Sequence, residues 1–140
     1  MKNKMVVKFD SLSENECFAR NVIASFLMPL NPSIGVLSDI KTAVSEAVTN
    51  SIVHGYPEKK GEVTMSAEID EDKIHIVVSD KGVGIENLEE ALQPFFTGKP
   101  EDERSGMGFT IIKTFMDEVK VVSEPLKGTI VDMKKLITVA

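Results

Sequence analysis

The sequence has a single cysteine, Cys17, in 140 residues, so no internal disulfide framework can hold the fold, and a reducing compartment suits the chain. Its place among Phe18, Val22 and Phe26 predicts a packed thiol on a helix. Long apolar runs are missing as well. None reaches the roughly 20 residues needed to span a bilayer, and charge interrupts Met1-Lys2-Asn3-Lys4-Met5-Val6-Val7-Lys8 too often for a signal peptide. A cytoplasmic protein without membrane contact is therefore expected. Positive charge is in deficit: 16 Lys and Arg against 22 Asp and Glu give a net charge of -6, which argues against direct nucleic-acid binding. Internal repeats and low-complexity segments are lacking. Neither Gly-x-Gly-x-x-Gly between a strand and a helix nor Gly-x-x-x-x-Gly-Lys-Ser/Thr occurs, which sets aside the two common nucleotide-binding signatures.

Hydrophobic periodicity is plentiful and changes character along the chain. Met5 to Phe9 alternates as a short strand. Ser13-Glu14-Asn15-Glu16 reads as a capping box, and Phe18, Val22, Ile23, Phe26 and Leu27 form the buried stripe of a first helix that Pro29 and Pro32 end. Arg20 projects from the polar side of that helix. A longer helix starts after Pro32 or Ser33 and runs through Ile40, Val44 and Val48 to about His54, with Gly55 as its stop. Glu62 to Ile69 and Lys73 to Asp80 are strands joined by Asp70-Glu71-Asp72, a hairpin signal. The segment from 86 to about 106 is long and irregular, as lids are. A helix over Met107 to Met116 and strands at Glu118 to Ser123 and Thr129 to Lys135 complete the order. Grouped helices between hairpins predict one α+β domain over 1–140, a two-layer sandwich with helices on one face of a mixed, mostly antiparallel sheet.

Three places carry chemistry. Glu46, Asn50 and His54 are spaced four apart and share a helical face, so a carboxylate and a carboxamide lie one turn apart. That pair suits catalysis beside a metal ion, though Glu and Asn on a helix also simply face water. His54 has bonds to terminal carbonyls as its default reading. Asp80 closes an apolar strand and precedes Gly82 and Gly84, which puts a carboxylate beside backbone that a ligand can approach closely; a polar turn is the plain alternative. Gly106 and Gly108 open a helix, where free N–H groups and the helix dipole favour phosphate, with Arg104 just upstream.

Taken together, Glu46-x-x-x-Asn50, Asp80-x-Gly82-x-Gly84, Gly106-x-Gly108 and Gly128-Thr129 resemble, in order and separation, the N, G1, G2 and G3 boxes of the GHKL ATPase/kinase superfamily. Within it the chain resembles the bacterial anti-sigma factor serine kinases. The runs that carry this are Glu46 to Gly55, Phe96-Thr97-Gly98-Lys99-Pro100, Arg104 to Ile111 and Phe115-Met116-Asp117-Glu118-Val119. Gly98 and Ile130 depart from the pattern, standing where such proteins often carry threonine. The resemblance implies a Bergerat-type pocket holding ATP or ADP through Mg²⁺. It implies Glu46 as general base, Asn50 as magnesium ligand and Asp80 as adenine-binding acid. By the same token Gly82 and Gly84 line the nucleotide, and Gly106, Met107 and Gly108 face its phosphates with Arg104 at the terminal one. The resemblance also implies Thr129 as a support for adenine binding.

The activity implied is twofold: sequestering a sporulation sigma factor of RNA polymerase, and phosphorylating a serine of an anti-anti-sigma partner. A homodimer is implied too, with Arg20 where the two partners compete. The alternative is a nucleotide-gated binding module with little or no kinase activity.

Overall fold

The computed structural model of the protein describes residues 1–85, 92 and 108–140. The elements are β1 (Lys2–Asp10), α1 (Glu14–Leu27), α2 (Ile34–Asn50), β2 (Glu62–Asp70), β3 (Lys73–Asp80), α3 (Gly108–Phe115), β4 (Glu118–Glu124) and β5 (Gly128–Leu136). A single 3₁₀ turn, Met28–Leu30, follows α1, and a π-helical turn, Ser51–Gly55, continues α2. The five strands form one sheet in the order β1-β2-β3-β5-β4. All four pairings are antiparallel, so the sheet contains no parallel component among the described residues.

Period-2 alternation gives the sheet one apolar face. Val63, Met65, Ala67 and Ile69 of β2, Ile74, Ile76 and Val78 of β3, and Val131 and Met133 of β5 are buried, whereas the residues between them are partly or largely exposed. They share one core with Ile23 and Leu27 of α1, Ile40, Val44 and Val48 of α2, and Ile112 of α3. α2 is the central helix, in contact with both α1 and α3. The result is the two-layer α+β sandwich that the sequence predicts, with all three helices among the described residues on one face.

Two local expectations fail in α1. Its N-cap is Ser13, but no capping hydrogen bond forms. The hydroxyl donates to Glu14 Oε1 at 3.0 Å instead, and Glu16, the last residue of the expected box, accepts from Ser45 Oγ on α2. Of the expected stripe, Ile23 and Leu27 are fully buried and Val22 and Phe26 pack partly buried against the core, while Ala19 takes the buried place expected of Phe18. Phe18 is 46% exposed, its ring edge-on to Phe9 with centroids 6.1 Å apart, and Cys17 is exposed rather than packed. The cap at α2 succeeds, with Ser33 Oγ accepting from Val36 N at 3.2 Å.

Candidate functional site

The site lies where α2 ends against the end of β3. Apolar residues at Ile40, Ala43, Val44, Ala47 and Val48 bury one side of α2, which leaves Glu46 and Asn50 half-buried on its margin. The helix does not run on regularly to His54. It widens at Ser51 into the π turn, a local change often found at functional sites. That turn carries Ser51, Ile52, Val53, His54 and Gly55 onto the β3 terminus.

Asp80 closes β3 as a buried carboxylate, 7% exposed. Ser51 Oγ donates to its Oδ2 at 2.8 Å and Gly82 N to its Oδ1 at 2.9 Å. Burial pushes its pKa above the ordinary value of 3.8, against the hydrogen bonds from Gly82, Ser51 and the Thr129 backbone, which favour the ionised form. A charge kept in a dry place at a cost, with donors aimed at it, suits recognition of an amino group.

The glycines around Asp80 are there because backbone meets backbone. A Cβ on Gly82 would sit 2.0 Å from Gly55 O. Gly84 has φ +74°, and a Cβ there would lie 2.2 Å from Glu124 O. Gly128, at φ +112°, passes equally close to Asp80 O. This brings Thr129 directly opposite Asp80 in the β3–β5 ladder. Thr129 is buried, with its hydroxyl 2.8 Å from Ser123 Oγ. Ser123 Oγ also accepts from Ile85 N at 2.8 Å, so one hydroxyl ties β4 to the chain that leaves Gly84.

On the other side, Gly108 begins α3 against α2. A Cβ there would be 2.9 Å from Asn50 Nδ2. That amide nitrogen is itself buried and finds no hydrogen-bond partner among the described residues. A buried N–H group without an acceptor is costly unless something meets it. A half-turn of the amide exchanges Oδ1 and Nδ2, which presents an oxygen suited to a hydrated magnesium ion or a phosphate group. Asn50 beside the N-terminus of α3 therefore fits Mg²⁺ and a nucleotide phosphate.

The structure thus brings Asn50, Asp80, Gly82, Gly84, Gly108 and Thr129 around the junction of α2, β3 and α3, with Glu46 one turn back along α2. Arg104, Gly106, Met107 and nearly all of the expected lid lie outside the described residues. Arg20 is elsewhere, on α1. Its Nη2 donates to Cys17 Sγ at 3.5 Å and its Nε is 3.8 Å from Glu16 Oε1. Cys17 first and Glu16 second raise the guanidinium pKa.

Sequence reasoning missed Ser51, Tyr56 and Ser123. The partners of these hydroxyls are brought to them by the fold, and neither periodicity nor local spacing marks them. Ser51 alone had a signal, its place directly after Asn50.

A family model described as a histidine kinase-like ATPase domain matches residues 12–135. The chain is 57% identical over 136 residues to an anti-sigma F factor of Clostridium perfringens, covering 96% of this chain and 97% of that one. It is 55% identical over 139 residues to the anti-sigma F factor of a Geobacillus species, covering 99% and 95%. Among solved structures, the RsbU and RsbW domains of a Mycobacterium tuberculosis protein superpose with a TM-score of 0.69 at 16% identity, over 96% of this chain and 32% of that longer one. The nucleotide-free catalytic domain of the histidine kinase ThkA gives 0.60 at 17% identity, over 96% and 97%. At such identities these two structures speak to the fold alone.

Proposed function

The chain belongs to the histidine kinase-like ATPase family, and from that premise we propose that it is an anti-sigma factor of the sporulation type that is also a protein-serine kinase. It holds a sigma factor of RNA polymerase, and it inactivates an anti-anti-sigma protein by phosphorylating a serine. The reading is carried by identity above half to proteins named anti-sigma F factor across nearly the whole of both chains. It takes the chain as one domain over 1–140 with an ATP lid at about 86–106, working as a cytoplasmic homodimer.

The residues divide the work as follows. Asp80 accepts from the exocyclic amino group of adenine, supported by Thr129, while Gly82 and Gly84 let the backbone lie against the nucleoside. Asn50 holds Mg²⁺, and Gly106, Met107 and Gly108 present N–H groups to the phosphates with Arg104 at the terminal one. Mg²⁺ supplies charge neutralisation as the phosphoryl group moves. Glu46 takes the proton of the attacking serine hydroxyl as its oxygen bonds to the γ-phosphorus and ADP leaves with the bridging oxygen. Little covalent help is needed, because phosphoryl transfer depends on positioning and on electrostatics. Arg20 meets the partner proteins from α1.

The test is incubation of the purified protein with γ-labelled ATP and the candidate anti-anti-sigma protein, reading label on serine. Glu46→Gln should lower transfer by about 10² to 10⁴ while ADP still binds. Substantial transfer by that variant would remove Glu46 from its role. Native protein that binds Mg·ATP and the sigma factor yet transfers nothing would favour the nucleotide-gated module. For Arg20, Arg20→Glu should lose the sigma factor in a pull-down and keep ADP; an undiminished complex would count against the α1 contact.

A further inference from the structure

Tyr56 follows the π turn directly, and its hydroxyl has both of its roles dictated by its neighbours. It lies 2.8 Å from Glu62 O, which can only accept, and 2.8 Å from Lys81 N, which can only donate. The phenol therefore donates to Glu62 and accepts from Lys81. One oxygen joins the end of the α2 unit to the first residue of β2 and to the turn that follows Asp80.

That turn contains three successive backbone N–H groups, and each has a different partner. Lys81 N bonds the Tyr56 hydroxyl at 2.8 Å. Gly82 N bonds Asp80 Oδ1 at 2.9 Å. Val83 N bonds Gly55 O, also at 2.9 Å. The middle bond belongs to the buried carboxylate, and the outer two anchor the turn on both sides of it to Tyr56 and Gly55, neighbours in sequence. The Tyr56 ring is itself placed with little freedom. A Cβ on Gly61 would lie 2.2 Å from its Cε1, so glycine is needed beneath the ring. Gly61 is pinned in turn by a pair of bonds with Ser11, Gly61 N to Ser11 Oγ at 2.8 Å and Ser11 N to Gly61 O at 2.9 Å.

We propose that Tyr56 is a positioning residue for nucleoside recognition, holding the Lys81–Val83 backbone so that Asp80 meets the adenine base in a fixed orientation. The inference rests on the nucleotide-binding reading above. Tyr56 acts through the turn and touches no phosphate, so its loss weakens ligands that contain adenosine and spares those that do not.

The experiment measures ADP and magnesium pyrophosphate binding by titration calorimetry on the full chain. Tyr56→Phe keeps the ring and removes the hydroxyl. Gly61→Ala keeps the hydroxyl and forces the ring aside, which guards against one variant simply failing to fold. Each variant should bind ADP about fivefold to tenfold more weakly, at full stoichiometry, with pyrophosphate affinity unchanged. A variant that is only less stable would instead show fewer binding sites of native affinity, and that result overturns the proposal. So would native ADP affinity, or equal losses for ADP and pyrophosphate. Native protein that binds no ADP would overturn the nucleotide reading itself.

Discussion

β3 ends in two different kinds of surroundings. At Asp80 it runs into touching backbone: Gly82 lies under Gly55, Gly84 against Glu124, and Gly128 against Asp80 itself. The carboxylate is buried and its donors are neutral. At Lys73 the sheet is tied instead by charged side chains. Nearby, Lys135 on β5 donates to Phe115 O at 2.6 Å, at the end of α3, and lies 3.8 Å from both Asp39 and Asp117. Asp117 Oδ2 accepts from Leu136 N at 2.7 Å, and the amino terminus pairs with Glu71 at 2.8 Å. Side chains that reach solvent, as Glu71 and Asp117 do, can readjust when one partner changes. Backbone in van der Waals contact cannot. The proposed nucleotide site sits at the end with no slack, and on that reading stability can be adjusted at the other end without moving it.

The comparison is broken or sharpened by substitutions at each end, with ADP affinity read by calorimetry and stability by thermal unfolding. Asp80→Asn should have the largest effect, lowering ADP affinity about 100-fold by presenting an amide donor to the adenine amino group. It should also change how stability depends on pH. Because the folded state raises the Asp80 pKa, the carboxyl's contribution to stability is full below 3.8 and is lost as the pH rises through the folded value. Asn carries no such loss. The Tm of Asp80→Asn relative to the native protein should therefore rise as the pH is raised above 3.8 through the folded-state value; a constant difference would show that burial costs the charge nothing.

Gly82→Ala comes next. The added methyl meets Gly55 O, and a forced shift of packed backbone should cost about 1–3 kcal/mol of stability together with about tenfold in ADP affinity. If the affinity is untouched, the turn has slack after all. At the far end, Lys135→Met keeps the aliphatic stem and removes the charge. It should cost about 1.5–3 kcal/mol through the lost charged hydrogen bond and move ADP affinity by less than about twofold. A tenfold loss of affinity there would join the two ends into one unit. Smallest is Lys127→Ala, which removes an exposed pair with Glu124 at 3.7 Å and should change stability by under about 1 kcal/mol.

Much of this was legible in the sequence, for reasons that differ element by element. The β2–β3 hairpin follows from alternation of Val, Thr, Met and Ile around Asp70-Glu71-Asp72, and Glu71 takes φ +56° in the turn. Asp80-x-Gly82-x-Gly84 was legible as a place of close approach because glycine has few other reasons to recur there. The stripe of α1 was legible at Ile23 and Leu27 and missed at its start, because Ala19 is a weak hydrophobic signal beside Phe18, although Ala19 is the buried residue of the two. The capping box failed because Glu16 had a better use across the helix pair, in the contact with Ser45, which local spacing cannot foresee. The insertion of β5 between β3 and β4 was likewise invisible, since the β3–β5 pairing joins segments far apart in sequence. The π turn follows no residue rule we can name; it answers to the place where β3 ends.

Tyr56 has an optical consequence. The chain contains one tyrosine and no tryptophan, so emission excited beyond the phenylalanine band comes from a single phenol, one residue beyond the π turn and hydrogen-bonded to the turn that follows Asp80. Any change in that turn when a nucleotide enters alters the surroundings of the only tyrosine in the protein. The unlabelled molecule is its own spectroscopic probe, and Tyr56→Phe is the blank.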